Sequence, residues 1–178
     1  MADAKESYDD VSVYPVGDEL RDRLFAVQTE CAVVWSTTDG WPVGVMHRYV
    51  WHDDRFWVTT MPQRKRVPAL RKRPKSTVIV SGENAAPDWR DFTVTAKTMA
   101  TVHDDDQAVK AWFYPALADR MNPGHPERAA AFRDRVDSPG RVIIELEPVK
   151  WITYDGAKVA AHVLGRWSPD EDWEDPRL

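Results

Sequence analysis

The run TTMPQRKRVPALRKRPK, residues 59 to 75, holds the densest charge in this chain of 178 residues. Seven of its last twelve residues are Lys or Arg and none is acidic, yet the whole chain carries a net charge of −5. Removing those seven from 24 basic residues leaves 17 against 29 carboxylates, so everything outside the run sums to −12. Thr59 and Thr60 end a strand-like segment, a tight loop follows, and Arg64 and Lys65 open a predicted short helix. Hydroxyls, backbone N–H groups and paired cations at such a place suit a phosphate, because Arg grips two oxygens at once and Lys adds a point charge. The same residues also fit a solvated basic face on a surface helix. Contact with nucleic acid is disfavoured by the acidic balance and by the lack of aromatic residues between the charges.

Other reactive side chains are sparse. His47 and His52 lie five apart on a predicted strand and turn, aimed at opposite faces, with no Cys or carboxylate set beside them, so no metal site is expected. A lone Cys31 in CAVVW excludes a disulfide framework and a thiolate zinc site, and reads as a small buried apolar residue. No acid–base pair, G-x-S-x-G or P-loop is present. Asp104 to Asp106 read as charge at a helix start. Trp112, Phe113 and Tyr114 stand at helical spacing and read as core or dimer contact, and most of the nine Trp residues are expected in the core.

Positioning these groups requires a sheet. Leu20, Leu24 and Val27 recur with a helical period behind a possible cap at Asp18. Strand-like runs follow at 31–38, 42–51 and 55–61, separated by turns at Asp39-Gly40 and His52 to Asp54, which makes a three-stranded antiparallel meander. The basic run interrupts it as a short helix, with Pro68 in its first turn and Pro74 past its end. Strands resume at 76–82 and 92–103, with the loop GENAAPDWRD between them. A helix carries Val109, Trp112, Phe113 and Leu117, and a second covers about 127–136. Paired strands are expected around Pro148 within 141–159, with a last turn at Asp155-Gly156.

Six to seven strands and a few short helices predict a mainly β, α+β fold: a small antiparallel β-barrel with helices at its ends. Length and composition suit one domain, read as an arm (1–16), the barrel (17–164) and an acidic tail (165–178). With no apolar run near 18 residues and a polar MADAKESYDD start, a cytoplasmic protein without membrane contact is expected.

The order of DG turn, PVGVMHRYVW, RFWVTT and MPQRKRVPALRKRPKSTVIVSG resembles the pyridoxamine 5′-phosphate oxidase-like, FMN-binding split-barrel superfamily, including its deazaflavin (F420)-dependent branch. The likeness covers roughly residues 24–160 and is strongest over 31–82. It implies a split β-barrel in which Arg64 and Lys65 hold the cofactor phosphate and Thr59 and Thr60 line the same end. It further implies that Val45, Met46 and His47 run along the edge of the ring, with Arg48 near substrate or the cofactor's far side. A homodimer with FMN or F420 at its interface is implied, exchanging a hydride with a small-molecule substrate. A non-catalytic flavin or haem binder is the alternative. WFYPALADRMNPGHP lacks the R-P-x-x-S-type substrate motif of the vitamin B6 oxidases. WEDPRL echoes their W-x3-R-L ending only in Trp173, Arg177 and Leu178, so that particular reaction is not expected.

Overall fold

The computed structural model describes residues 11–83, 85, 86, 89 and 91–178; most of the expected arm and part of the 82–91 loop lie outside them. In chain order the described elements are α1 (Asp18–Val27), β1 (Glu30–Ser36), β2 (Pro42–His52), β3 (Arg55–Thr60), α2 (Arg66–Lys72), β4 (Lys75–Ser81), β5 (Phe92–His103), α3 (Gln107–Met121), α4 (Pro126–Val136), β6 (Val142–Asp155) and α5 (Gly156–Val163). The strands close into an antiparallel barrel in the order β1-β2-β3-β6-β5-β4, which bears out the α+β barrel and its lower strand count. No helix among the described residues is long and apolar enough to cross a membrane.

Two compact units make up the chain. One comprises Thr29–Val78 and Ala96–Lys150. In it β1 buries Cys31, Val33 and Trp35 in strict alternation, as a half-buried strand must. Thr37 closes the first hairpin by accepting from the Trp41 backbone N–H at 3.0 Å, while Gly40 takes φ +87°. Asp53 and Asp54, at φ 48° and 55°, form the two-residue turn before β3, where Asp tolerates the left-handed region. Val50 and Trp57 pack with Ile143 against Phe113, Tyr114 and Leu117 of α3. Asp106 caps α3 by accepting from the N–H groups of Ala108 and Val109. Pro115 interrupts the hydrogen bonding of that helix, a loss of about 3 kcal/mol, offset by burying aromatic side chains at roughly 1.5–3 kcal/mol each. α2 buries Val67 and Leu70, keeps Pro68 in its first turn and ends just before Pro74, as the proline spacing predicts.

The other unit comprises the described residues through Gln28 with Ile79–Thr95 and Trp151–Leu178. Here α1 buries Leu20, Leu24 and Phe25 and leaves Val27, its last residue, exposed. Its N-cap is Gly17, not Asp18, which sits in the first turn and pairs with Arg21 at 2.6 Å.

Two expectations at the end of the chain need correction. The paired strands around Pro148 are a single strand, β6, whose ladder with β3 ends at Leu146; Pro148 lies beyond it, so its missing N–H breaks no bond to β3. The expected turn at Asp155-Gly156 is instead a helix start: the Asp155 side chain caps α5 by accepting from the Ala157 N–H at 3.1 Å. A Cβ on Gly156 would stand 2.6 Å from the Asp91 carbonyl oxygen, so only glycine permits that approach. Asp155 also receives the guanidinium of Arg177 at 3.0 and 2.5 Å, and Asp175 holds the same group at 2.7 Å.

Candidate anion-binding site

β2 changes partners along its length. Pro42 to Arg48 pair with β1, whereas only Tyr49 to His52 pair with β3. β3 continues past that point with β6 on its other side, Thr59 opposite Ile143 and Thr60 opposite Val142. The edge of β2 from Pro42 to Arg48 is therefore split from β3, and alternate backbone N–H and C=O groups there point away from β1.

A cavity of about 280 Å³ is lined by residues on both sides of this split. Met46, His47 and Arg48 come from β2, Thr59 and Thr60 from β3, Met61 and Arg64 from the loop, and Arg66 from α2. Arg141 enters from the residue before β6, and Leu117, Phe132 and Val136 supply an apolar wall from α3 and α4. Among the described residues four arginines line it and no carboxylate does. α2 has only seven residues, so the positive field comes from side chains, not from a helix dipole.

The polar groups are held with differing tightness. Thr59 Oγ1 donates to the Val142 carbonyl at 2.9 Å and lies 3.2 Å from Arg141 Nε, which donates to it. Arg48 is tied to the start of β1, donating to Thr29 Oγ1 at 2.8 Å and pairing with Glu30 at 3.2 Å. Arg66 stacks over Trp35 with its guanidinium carbon 5.9 Å from the ring centroid, and its Nε is buried with no hydrogen-bond partner among the described residues. His47 is 8% exposed and its Nε2 is likewise buried without a partner. Burial first, then the charges of Arg66 and Arg141, push the His47 imidazole down to about 4, so it is neutral near pH 7. Burial and the neighbouring Arg64 also lower the pKa of Arg66. Such a constellation stabilises an anion and offers no nucleophile; burial pushes the Cys31 thiol up and leaves it inert.

Six of the eight residues expected from the sequence meet in this cavity: Met46, His47, Arg48, Thr59, Thr60 and Arg64. Val45 lines neither this cavity nor the one beside Lys65. Lys65 faces a different, larger cavity of about 550 Å³, together with Lys72, Arg73 and Asp39. Arg73 is pinned there, donating to the Ser36 carbonyl at 3.1 and 2.9 Å. Arg71 pairs with Asp104 and lines neither. Sequence reasoning missed Arg66, although it lies inside the basic run, and Arg141, which carries no local signal. Only the β3–β6 pairing reveals Arg141, because it sets Val142 opposite Thr60. His52 lies outside the cavity, stacked on Trp112 at 4.3 Å, and His103 is bound to Glu145 at 2.9 Å.

The fold recurs in solved structures. A conserved hypothetical protein from Mycobacterium tuberculosis is similar over 94% of this chain and 98% of its own, with 14% identity and a TM-score of 0.68. An F420 reductase is similar over 74% and 94%, with 18% identity and a TM-score of 0.54. The haem storage protein HutZ from Vibrio cholerae is similar over 77% and 94%, with 10% identity and a TM-score of 0.60. No curated protein matches the sequence. At the level of sequence, the profile of pyridoxamine 5′-phosphate oxidase matches residues 18–155, from the first turn of α1 to the last residue of β6. A match spanning the whole barrel, with β2 and β3 parted beside a cluster of arginines, places the chain in the pyridoxamine 5′-phosphate oxidase family, with its split-barrel fold.

Proposed function

We propose that the protein is an oxidoreductase that binds FMN or F420 and transfers a hydride to or from a small organic substrate. The observation that carries this reading is the cavity at the β2–β3 split: among the described residues, arginine charges without a lining carboxylate, beside two buried nitrogens without partners. Unsatisfied buried polar atoms cost about 1–3 kcal/mol each, a cost that an anion reaching the Arg66 guanidinium would relieve. Arg64, Arg66 and Arg141 would hold that group, with Thr60 beside them. The split edge of β2 would offer backbone donors and acceptors to the ring. The bound flavin or deazaflavin would supply the hydride chemistry, and the chain would supply binding, orientation and electrostatics.

Lys65 and Lys72 in the neighbouring cavity suit an anionic extension of the kind F420 has and FMN lacks. Trp41, at 69% exposure, and Met46, at 61%, are an unusual outlay of apolar surface and fit contact with a second copy of the chain.

The test is to purify the protein, record its visible spectrum and weigh what it releases on denaturation. Titration with FMN and F420 follows, for the native chain and for an Arg64→Ala, Arg66→Ala pair. Submicromolar binding that the pair loses supports the site; equal affinity in both proteins overturns it. Mixing the reduced holoprotein with candidate acceptors separates turnover from storage. If no acceptor speeds reoxidation, the protein is a carrier and not an enzyme.

A further inference from the structure

We infer that His47 is the proton-linked member of the arginine cluster: a phosphate or sulfate dianion bound among Arg64, Arg66 and Arg141 draws a proton onto its imidazole. The inference rests on the anion-site reading above and deepens it. It concerns what binding does to the protein, not which cofactor binds.

The geometry is specific. His47 points inward from β2 opposite Cys31 of β1, whose thiol burial keeps neutral. β3 presents the hydroxyls of Thr59 and Thr60, and α3 and α4 line the cavity with apolar side chains, while Arg120 of α3 lies over Tyr49 with its guanidinium carbon 4.9 Å from the ring centroid and also acts on Cys31. The charges that act on the His47 ring are cationic, Arg66 from α2 and Arg141 before β6, and Arg64 of the loop lines the same cavity. Arg48, the next residue on β2, carries its own counter-ion in Glu30. The buried Nε2 thus meets positive charge without a hydrogen-bond partner among the described residues. The neighbouring cations account for part of its depressed affinity for protons. A dianion at comparable distance carries two charges of opposite sign, enough to cancel the effect of two guanidinium groups. The imidazolium that becomes stable would then give the anion one more cation, and the apparent affinity must fall as pH rises through the ligand-bound pKa.

Sulfate is the cleanest probe because it stays dianionic across the range where histidine titrates. The ring resonances of His47, assigned by their loss in His47→Gln, are followed against pH in the native chain with and without saturating sulfate. Expected is a rise in the His47 pKa of at least about one unit, a tenfold gain in proton affinity. Calorimetry in two buffers of different ionisation heat, near pH 5.5, should show proton uptake in the native chain and none in His47→Gln. If sulfate binds, Arg66→Ala abolishes that binding, and the His47 pKa stays put, the proton linkage is wrong while the anion site stands. Should neither sulfate nor FMN move the resonances of His47 and Arg66, both readings fall together. The native-chain titration decides the matter even where the variant folds poorly.

Discussion

Arg177 and Arg66 are both withdrawn from solvent to some degree, but they meet opposite surroundings. Arg177, its side chain 5% exposed, makes bonds of 2.5 to 3.0 Å to Asp155 and Asp175, and burial has left no donor of that fork obviously idle. Those two carboxylates hold its pKa up, and Arg177 in turn holds the Asp175 carboxyl below the ordinary range. Among the described residues Arg66 has no carboxylate in its cavity, shares it with Arg64 and Arg141, and leaves its Nε without a partner. A matched cation serves the fold, whereas a cluster of cations without lining carboxylates raises the energy of the folded chain until an anion arrives. The echo of a family ending in Trp173, Arg177 and Leu178 belongs to the first kind of site: the guanidinium there is committed to Asp155 and Asp175.

The largest effect should come from breaking the matched site. Asp155→Ala leaves Arg177 buried with Asp175 alone and uncaps α5, and should cost about 3–5 kcal/mol in denaturant unfolding. A loss below about 1 kcal/mol would mean that the pair is not a structural clamp.

Next in size is the pH dependence of stability, which His47 should shape. Its folded pKa of about 4 lies below the ordinary 6.5, so between those values the unfolded chain binds a proton that the folded chain refuses. Stability is then full above about pH 6.5, falls by up to about 3 kcal/mol as pH drops toward 4, and levels off below. His47→Gln should flatten that part of the profile, and an unchanged slope would assign it to other groups.

Arg66→Ala turns the comparison around. It should weaken FMN binding by about 1.5–3 kcal/mol, the worth of a charge-assisted bond, yet leave stability unchanged or raise it by relieving repulsion. A loss of stability without a loss of affinity would make Arg66 a second Arg177. The smallest effect is expected at Lys65. Because it faces the other cavity, its replacement by Ala should cost FMN less than about 1 kcal/mol of affinity and F420 more, read by titrating each cofactor.

Much of the barrel was legible because its signals are local. Asp39-Gly40 and the Asp pair before β3 announce their turns, the alternation of polar and apolar residues over 92–103 announces a half-buried strand, and Pro68 and Pro74 bracket a helix that can hold little more than one turn between them. The errors fell where a local signal had two meanings. Asp155-Gly156 is a hairpin signal in isolation, but the same pair caps a helix when Asp91 demands a glycine beside it. Pro148 looks like a strand breaker until the ladder with β3 is seen to stop at Leu146. Of the candidate site, the arginine-rich loop and the two threonines could be read from composition and spacing. Which cations converge could not.

The amino-acid order by itself determined where the positive charge concentrates, which segments alternate as strands and where the chain must turn, since each depends on residues a few positions apart. Only the folded barrel decided that Arg64 and Arg66 share a cavity while Lys65, between them, faces another. It also brought Arg141 beside Thr59, across 82 positions of sequence. Strand pairing sets those distances, and pairing depends on register between segments that no single stretch encodes.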